Sequence, residues 1–230
     1  MEITHKDLKE VLSQHMRWLR NRGGACANLS GLDLSGLRMA GVNLSHALLS
    51  GADLAGASLV RANLSGTDMS GCVLIDADLS RANFYRATLC ESDLSNARLV
   101  RANLSGVDMS RVNCSHAILT GANLSRANLA GADLNGADLA GTDIERADLA
   151  LAELIGADLT GANLSYADLS YANLSRANLA RVNLAGVDIS RANLAYANLA
   201  GANLTRADMT LADLNEADLT GAVWPDGTKK

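Results

Sequence analysis

Apolar and polar residues recur along this chain with a period of five. From Leu29 to Leu219 every position whose number ends in 4 or 9 is apolar, leucine in most units and Met, Phe, Cys or Ile in the rest. Two places earlier stands Ala or another small or aliphatic residue. The register runs through 39 consecutive units without insertion or slip. Five fits neither the 3.6-residue period of a helix nor the two-residue period of a continuous strand. Within a unit the small residue and the leucine are two apart, so on an extended segment they share a face. The next pair comes three residues later, so the chain must turn a corner in between. Gly, Ser and Asn crowd those corners, as turns require.

Short extended sides joined by tight corners predict a coil that stacks on itself. The residue before each leucine indicates how many sides a coil has. It is Asn in 15 units and Asp in 16. Taken every fourth unit, Asn43, Asn63, Asn83, Asn103, Asn123, Asn163, Asn183 and Asn203 form one row, broken by Asp143. This 20-residue superperiod predicts four-sided coils, with the amides stacked as a structural ladder that bonds along the rod and to corner backbone. Coils about 4.8 Å apart make about ten coils and a rod roughly 47 Å long.

The units Ala52-Asp53-Leu54-Ala55-Gly56 and Ala162-Asn163-Leu164-Ser165-Tyr166 resemble the A(D/N)LXX motif of the pentapeptide-repeat family, Leu-centred type. The likeness covers residues 27–221 in unbroken phase. It implies an all-β solenoid, the right-handed quadrilateral β-helix, with the Leu and Ala positions inward. An opening helix before a Gly-rich step is loosely similar to small phage- and prophage-borne members, which implies a bacterial or phage source.

A solenoid needs caps, because each terminal coil exposes apolar core and an unpaired edge. Residues 1–26 read as an amphipathic helix and Gly-rich junction. Thr4 is placed as N-cap with Asp7 three later, and Ile3 and Leu8 have the spacing of a hydrophobic staple. Leu8, Val11, Leu12, His15, Met16, Trp18 and Leu19 form one apolar stripe, and Gly23-Gly24 ends the helix. Residues 222–230 read as a plug and tail, with Trp224 in the leucine register and Pro225-Asp226-Gly227 as a turn.

Composition sharpens this picture. Aromatic residues are 3% of the chain and hydrophobic residues 48%, which points to a repetitive aliphatic core rather than a mixed one or disorder. Four cysteines form no CxxC pair, and the four histidines do not cluster, so no metal, cofactor or disulfide framework is expected. No histidine stands where it could organise a nucleophile, so no catalytic residue and no enzyme is expected. With no apolar run long enough for a membrane span and no opening signal peptide, a cytoplasmic protein is expected.

The net charge of -5 argues against direct nucleic-acid binding. Acidity is concentrated in the second half: residues 131–221 carry 13 acidic and 5 basic side chains, against 8 and 8 in residues 27–130. Asp148, Asp168, Asp188 and Asp208 should stack, beside Leu151, Tyr171, Arg191 and Leu211, and this pair of rows is the candidate binding face. Arg61, Arg81 and Arg101 should stack on another face.

The reading of function is a non-enzymatic interaction or scaffold protein that presents flat faces to an unknown protein partner. The resemblance implies one alternative, a DNA mimic that binds a type II topoisomerase such as DNA gyrase and protects it from quinolones or toxins. A second alternative is a self-associating rod. A monomer or weak homodimer is expected.

Overall fold

The computed structural model describes residues 5–229, with side chains from Asp7 onward. After one helix, α1 (His5–Leu19), the chain winds as a β-helix. Residue i pairs in parallel with residue i+20 from Asn28 to Val223, so one coil takes twenty residues and four sides. Each pairing consists of two bonds. The Leu44 N–H donates to the Asn63 carbonyl at 2.8 Å, and the Asn63 N–H donates to the Val42 carbonyl at 2.8 Å. Every side therefore contributes one short rung, and four ladders run along the rod.

The corners explain why the repeat is five long. The N–H of Ala47 closes on the carbonyl of Leu44 at 3.0 Å, and His46, third in that turn, has φ 63°. A bond from the fourth residue to the first, with positive φ at the third alone, marks a type II turn. The pattern holds at all 39 corners, from Gly31 to Gly221. Glycine is the residue suited to this conformation, yet it fills only 17 of them. Arginine takes 11, and His, Asp, Asn, Glu, Leu and Tyr take the others. None holds Val, Ile or Thr, whose branched Cβ is least compatible with positive φ. The turn is thus compulsory, while its glycine is optional.

Inside, the leucine positions are closed to solvent from Leu29 to Leu204 and the small positions from Ala47 to Ala207, with Leu29, Leu129 and even Phe84 fully buried, while Leu32, Leu37 and Val42 of the first coil are half-buried against the core. Burial of a leucine side chain is worth roughly 1.5–3 kcal/mol, and the core repeats that gain at each side. Hydroxyls that stand in the small position bond locally. Thr67 and Thr142 donate to the carbonyls of Leu64 and Leu139, each at 2.6 Å, and Ser92 donates to Met69 O at 2.8 Å.

At the first coil Leu8 is buried, and Val11 and Leu12 pack against the core. His15 is fully buried. Its Nδ1 accepts the N–H of Ala27 at 3.1 Å, which ties α1 to the residue where the core begins. Trp18 stacks on His15 at 5.7 Å between centroids and stays 39% exposed, so it shields the histidine rather than the coil. Leu19 is half-buried. The helix stops before the glycines, with Asn21 already at φ 53°. Gly24, at φ 89°, is required because any Cβ there would run into the Gln14 carbonyl. Ile3 and Thr4, assigned from sequence to a staple and an N-cap, lie outside the described residues. At the far end Trp224 is half-buried, and Met209, Leu214 and Leu219 of the last coil are also only half-buried. The tail turns back through an antiparallel bridge between Val223 and Lys229 and covers that coil incompletely.

Corner side chains lean toward the next coil. The imidazole of His116 lies where a Cβ on Gly136 would come within 2.6 Å of its Nδ1, while nothing lies within 4 Å of the same point on Gly141. Both glycines have positive φ. We expect Gly141→Ala to cost about 1 kcal/mol from backbone strain alone and Gly136→Ala to cost more. His116→Ala should erase that difference, as read by urea unfolding in a double-mutant cycle.

Burial pushes the His15 imidazole below its usual range, and the neighbouring His46 pushes in the same direction. Protonation would also place a hydrogen on the Nδ1 that accepts from Ala27. Because the folded value lies below the unfolded one, the stabilisation is complete above the unfolded pKa of about 6.5 and declines as pH falls through the folded value. Melting temperature should therefore drop on acidification from neutrality. In His15→Asn that part of the pH dependence should vanish.

Candidate interaction faces

Two sides of the rod carry most of the chemistry, and they meet at a shared corner. The asparagine side holds the row from Asn43 to Asn203. The aspartate side, which follows it in each coil, holds Asp148, Asp168, Asp188 and Asp208 in its second half.

On the asparagine side the amides bond from coil to coil. Asn63 Nδ2 donates to Asn43 Oδ1 at 3.2 Å, Asn83 to Asn63 at 3.2 Å and Asn103 to Asn83 at 2.8 Å. Beyond Asn123 the chain of bonds resumes, with Asn163 donating to Asp143, Asn183 to Asn163 and Asn203 to Asn183 at 3.2, 2.9 and 3.1 Å. The same Oδ1 atoms accept the N–H two residues on, as Asn43 does from Ser45 at 3.0 Å. Oxygen is consumed inside the wall, while each amide nitrogen that bonds to the preceding coil has two hydrogens and spends one.

A carboxylate in such a row is tolerated where the next coil supplies a donor. Asn128 donates to Asp108 at 3.1 Å, Asn173 to Glu153 at 2.9 Å and Asn178 to Asp158 at 3.2 Å. The row from Asp148 to Asp208 has no such relief. Each Oδ1 accepts from its own turn, at 3.0, 2.8, 2.8 and 2.9 Å. Among the described residues no donor reaches the second oxygens. The Thr210 hydroxyl and N–H hold Asp208 below the ordinary carboxylate range. Four like charges one coil apart repel, by up to about 1 kcal/mol per neighbouring pair in water. Among the described residues only Arg111–Glu91 and Arg146–Glu145 form ion pairs, at 3.4 and 3.1 Å.

Along the far edge of the aspartate side stand Leu151, Tyr171, Arg191 and Leu211, all corner residues near φ 60°. Leu151, Tyr171 and Leu211 are 65%, 53% and 72% exposed, and the Arg191 guanidinium lies 5.3 Å from the Tyr171 ring. The two candidate rows are therefore adjacent in space. With Tyr166 and Tyr196, the exposed apolar corners number five, and all fall between residues 151 and 211.

The charge is divided by side of the rod as well as by half of the chain. Of the 13 arginines in the coils, 8 stand on the two edges of the asparagine side, against 2 of the 21 acids on that side, Asp143 and Glu145. Arg61, Arg81, Arg101 and Arg181 form one edge, and Arg86, Arg126, Arg146 and Arg206 the other. The signal was present in sequence. Corner residues taken every fourth unit, like the amides, carry it.

No reactive centre emerges among the described residues. Cys72 and Cys114 are buried in the core. Burial pushes the Cys72 thiol up to about 11 and raises Cys114 as well, so both are protonated fillers. No group of three or more His, Cys, Asp or Glu could hold a metal among the described residues. No helix is long and apolar enough to cross a membrane.

A family model for pentapeptide repeats matches in eight copies, over residues 27–66, 38–74, 57–96, 67–106, 108–146, 157–194 and 188–223. A search of curated proteins finds no match. Among solved structures, HetL from the cyanobacterium Nostoc sp. strain PCC 7120, a protein involved in heterocyst differentiation regulation, is 34% identical. The match covers 100% of both chains with a TM-score of 0.90. QnrB1, a plasmid-mediated fluoroquinolone resistance protein, is 21% identical over 85% of this chain and 92% of its own, with a TM-score of 0.57. That second likeness concerns the fold alone.

A leucine at positive φ, two-thirds exposed, gains nothing for folding. Leu151→Asn should stabilise the rod by roughly 0.5–1 kcal/mol, because asparagine tolerates this backbone. A rise in the urea midpoint checks it, and a fall would mean that Leu151 packs in the free protein.

Proposed function

The chain belongs to the pentapeptide-repeat family, and from that premise we propose that it is a cytoplasmic interaction protein that binds a protein partner through the second half of its aspartate side. It is not an enzyme, in keeping with the relatives it resembles. The observation that carries the reading is the set of strained, exposed apolar corners. Leu151, Tyr171 and Leu211 sit where glycine would be less strained and more soluble, beside an unrelieved row of carboxylates. Backbone strain, exposed apolar area and like-charge repulsion all cost the free protein stability, and all three coincide on one surface. The regulatory role named for HetL, at 34% identity over the full length, supports a partner-binding regulator.

The aspartate row also supports a second reading, a DNA mimic whose spaced carboxylates enter the basic groove of a type II topoisomerase. Against it stand the arginine edges of the adjoining side.

The test is capture from the native host with wild type and with Leu151→Asn/Tyr171→Asn/Leu211→Asn. The expected result is a protein retained by the wild type and lost from the variant, although the variant is at least as stable. Equal capture by both would remove this face from the interaction. If a micromolar excess of the wild type protects gyrase from quinolone-stabilised cleavage, the DNA-mimic reading takes precedence.

A further inference from the structure

We propose that the asparagine side is a second binding surface, and that its ligand is single-stranded nucleic acid held by the sugar–phosphate backbone. Between Arg61 and Arg126 this side and its edges carry Arg61, Arg81, Arg86, Arg101 and Arg126 and no carboxylate, in a protein whose net charge is -5. None of the five is in an ion pair among the described residues. All five occupy corners at positive φ, where glycine would be less strained. Three of them, Arg61, Arg81 and Arg101, follow one another in consecutive coils and repel. The cations are therefore unneutralised, strained and aligned.

The floor between the edges has the same bias. Asparagine oxygens are occupied by their own turns and, at Asn43, Asn63 and Asn83, by the next coil, which leaves at least one N–H of each Nδ2 as the unspent group. A surface of guanidinium and amide donors suits a linear anion. Its width, three extended residues or about 10 Å, suits one strand rather than a duplex. From Arg61 to Arg206 the edges run about 35 Å.

Aromatic side chains distinguish nucleic acid from an acidic polypeptide. Tyr85 stands at the border of this floor, on the corner just before Arg86, 44% exposed, with the Arg86 guanidinium 5.1 Å from its ring centroid. Beside it a shallow cavity of about 450 Å³ is lined by Tyr85, Arg86, Ser105, Gly106, Arg126 and Arg146, among others. Glu145 and Asp143 close one end. On the edge Tyr166 stands 56% exposed under Arg146 at 5.5 Å. Exposed rings set in a cationic track are how single strands are held without sequence preference: bases stack while the backbone follows the charge. The cavity admits one base on Tyr85 with its phosphates toward Arg126, and the carboxylates at its end accept from exocyclic amines. The acidic residues on the other three sides confine the strand to this one.

Fluorescence anisotropy with a labelled oligonucleotide of roughly a dozen nucleotides tests the proposal on the full-length protein. Binding should be present at about 50 mM salt and weaken roughly hundredfold by about 200 mM, as expected for about five phosphate contacts. Arg81→Asn/Arg101→Asn keeps residues suited to positive φ, so it should fold, with its melting curve as the check, and bind at least tenfold more weakly. Arg111→Asn/Arg176→Asn, corners at positive φ away from this side, should bind like the wild type. Tyr85→Ala should weaken the oligonucleotide about tenfold and leave inorganic polyphosphate unaffected. Absence of binding at the lower salt, or equal binding by both arginine variants, overturns the site. Tighter binding of poly-glutamate than of the oligonucleotide, or a Tyr85→Ala variant unchanged for nucleic acid, overturns the choice of ligand.

Discussion

Everything in this protein depends on one backbone event, a corner at positive φ every fifth residue. The corner fixes the length of a side at one small residue, one outward residue and one leucine. The interior is then narrow, and that width admits Ala and Leu in each unit and Phe84 once. Corner side chains project from the edges whether or not an edge has use for them. Positive φ excludes branched Cβ atoms, so evolution can write on the edges only with glycine, long flexible chains, aromatics and small polar residues. The 11 arginines at corners show how a constraint on backbone shape selects the chemistry of a surface.

Because residues twenty apart are direct neighbours, each surface row is a one-dimensional lattice with its own energetics. A row of amides is self-compatible, since every Asn offers both a donor and an acceptor to the coils beside it. A carboxylate followed by an amide, as Asp158 is by Asn178, is also compatible. A run of carboxylates is not. The row from Asp148 to Asp208 breaks this local grammar, and the edges beside it break the preference for glycine. Both departures fall where a rigid scaffold has nothing to gain from them.

The fold was legible from sequence because its period is unbroken and its leucine position admits no polar exception. The four-sided coil followed from one row of asparagines, and in the structure residues 43 and 63 pair directly. The ends were less legible. His15 reads as one member of an apolar stripe, and nothing in its spacing shows that Nδ1 meets the Ala27 N–H across the junction. Trp224 looks like a plug because it is large, yet its coverage depends on where the chain lies after leaving the register. The arginine edges were hidden for another reason. Charge summed along the chain cancels arginines against acids that face the opposite way, and only the phase of the coil separates them.

That phase makes the molecule sensitive to length in an unusual way. Inserting five residues would leave every leucine inside and every corner a corner, so the core would scarcely register the change. Every side chain downstream would nevertheless rotate by a quarter turn, carrying the aspartate row into line with a different row of the upstream coils. Twenty residues restore the alignment and only lengthen the rod. Growth of such a protein is therefore quantised twice, in fives for stability and in twenties for the continuity of its surfaces.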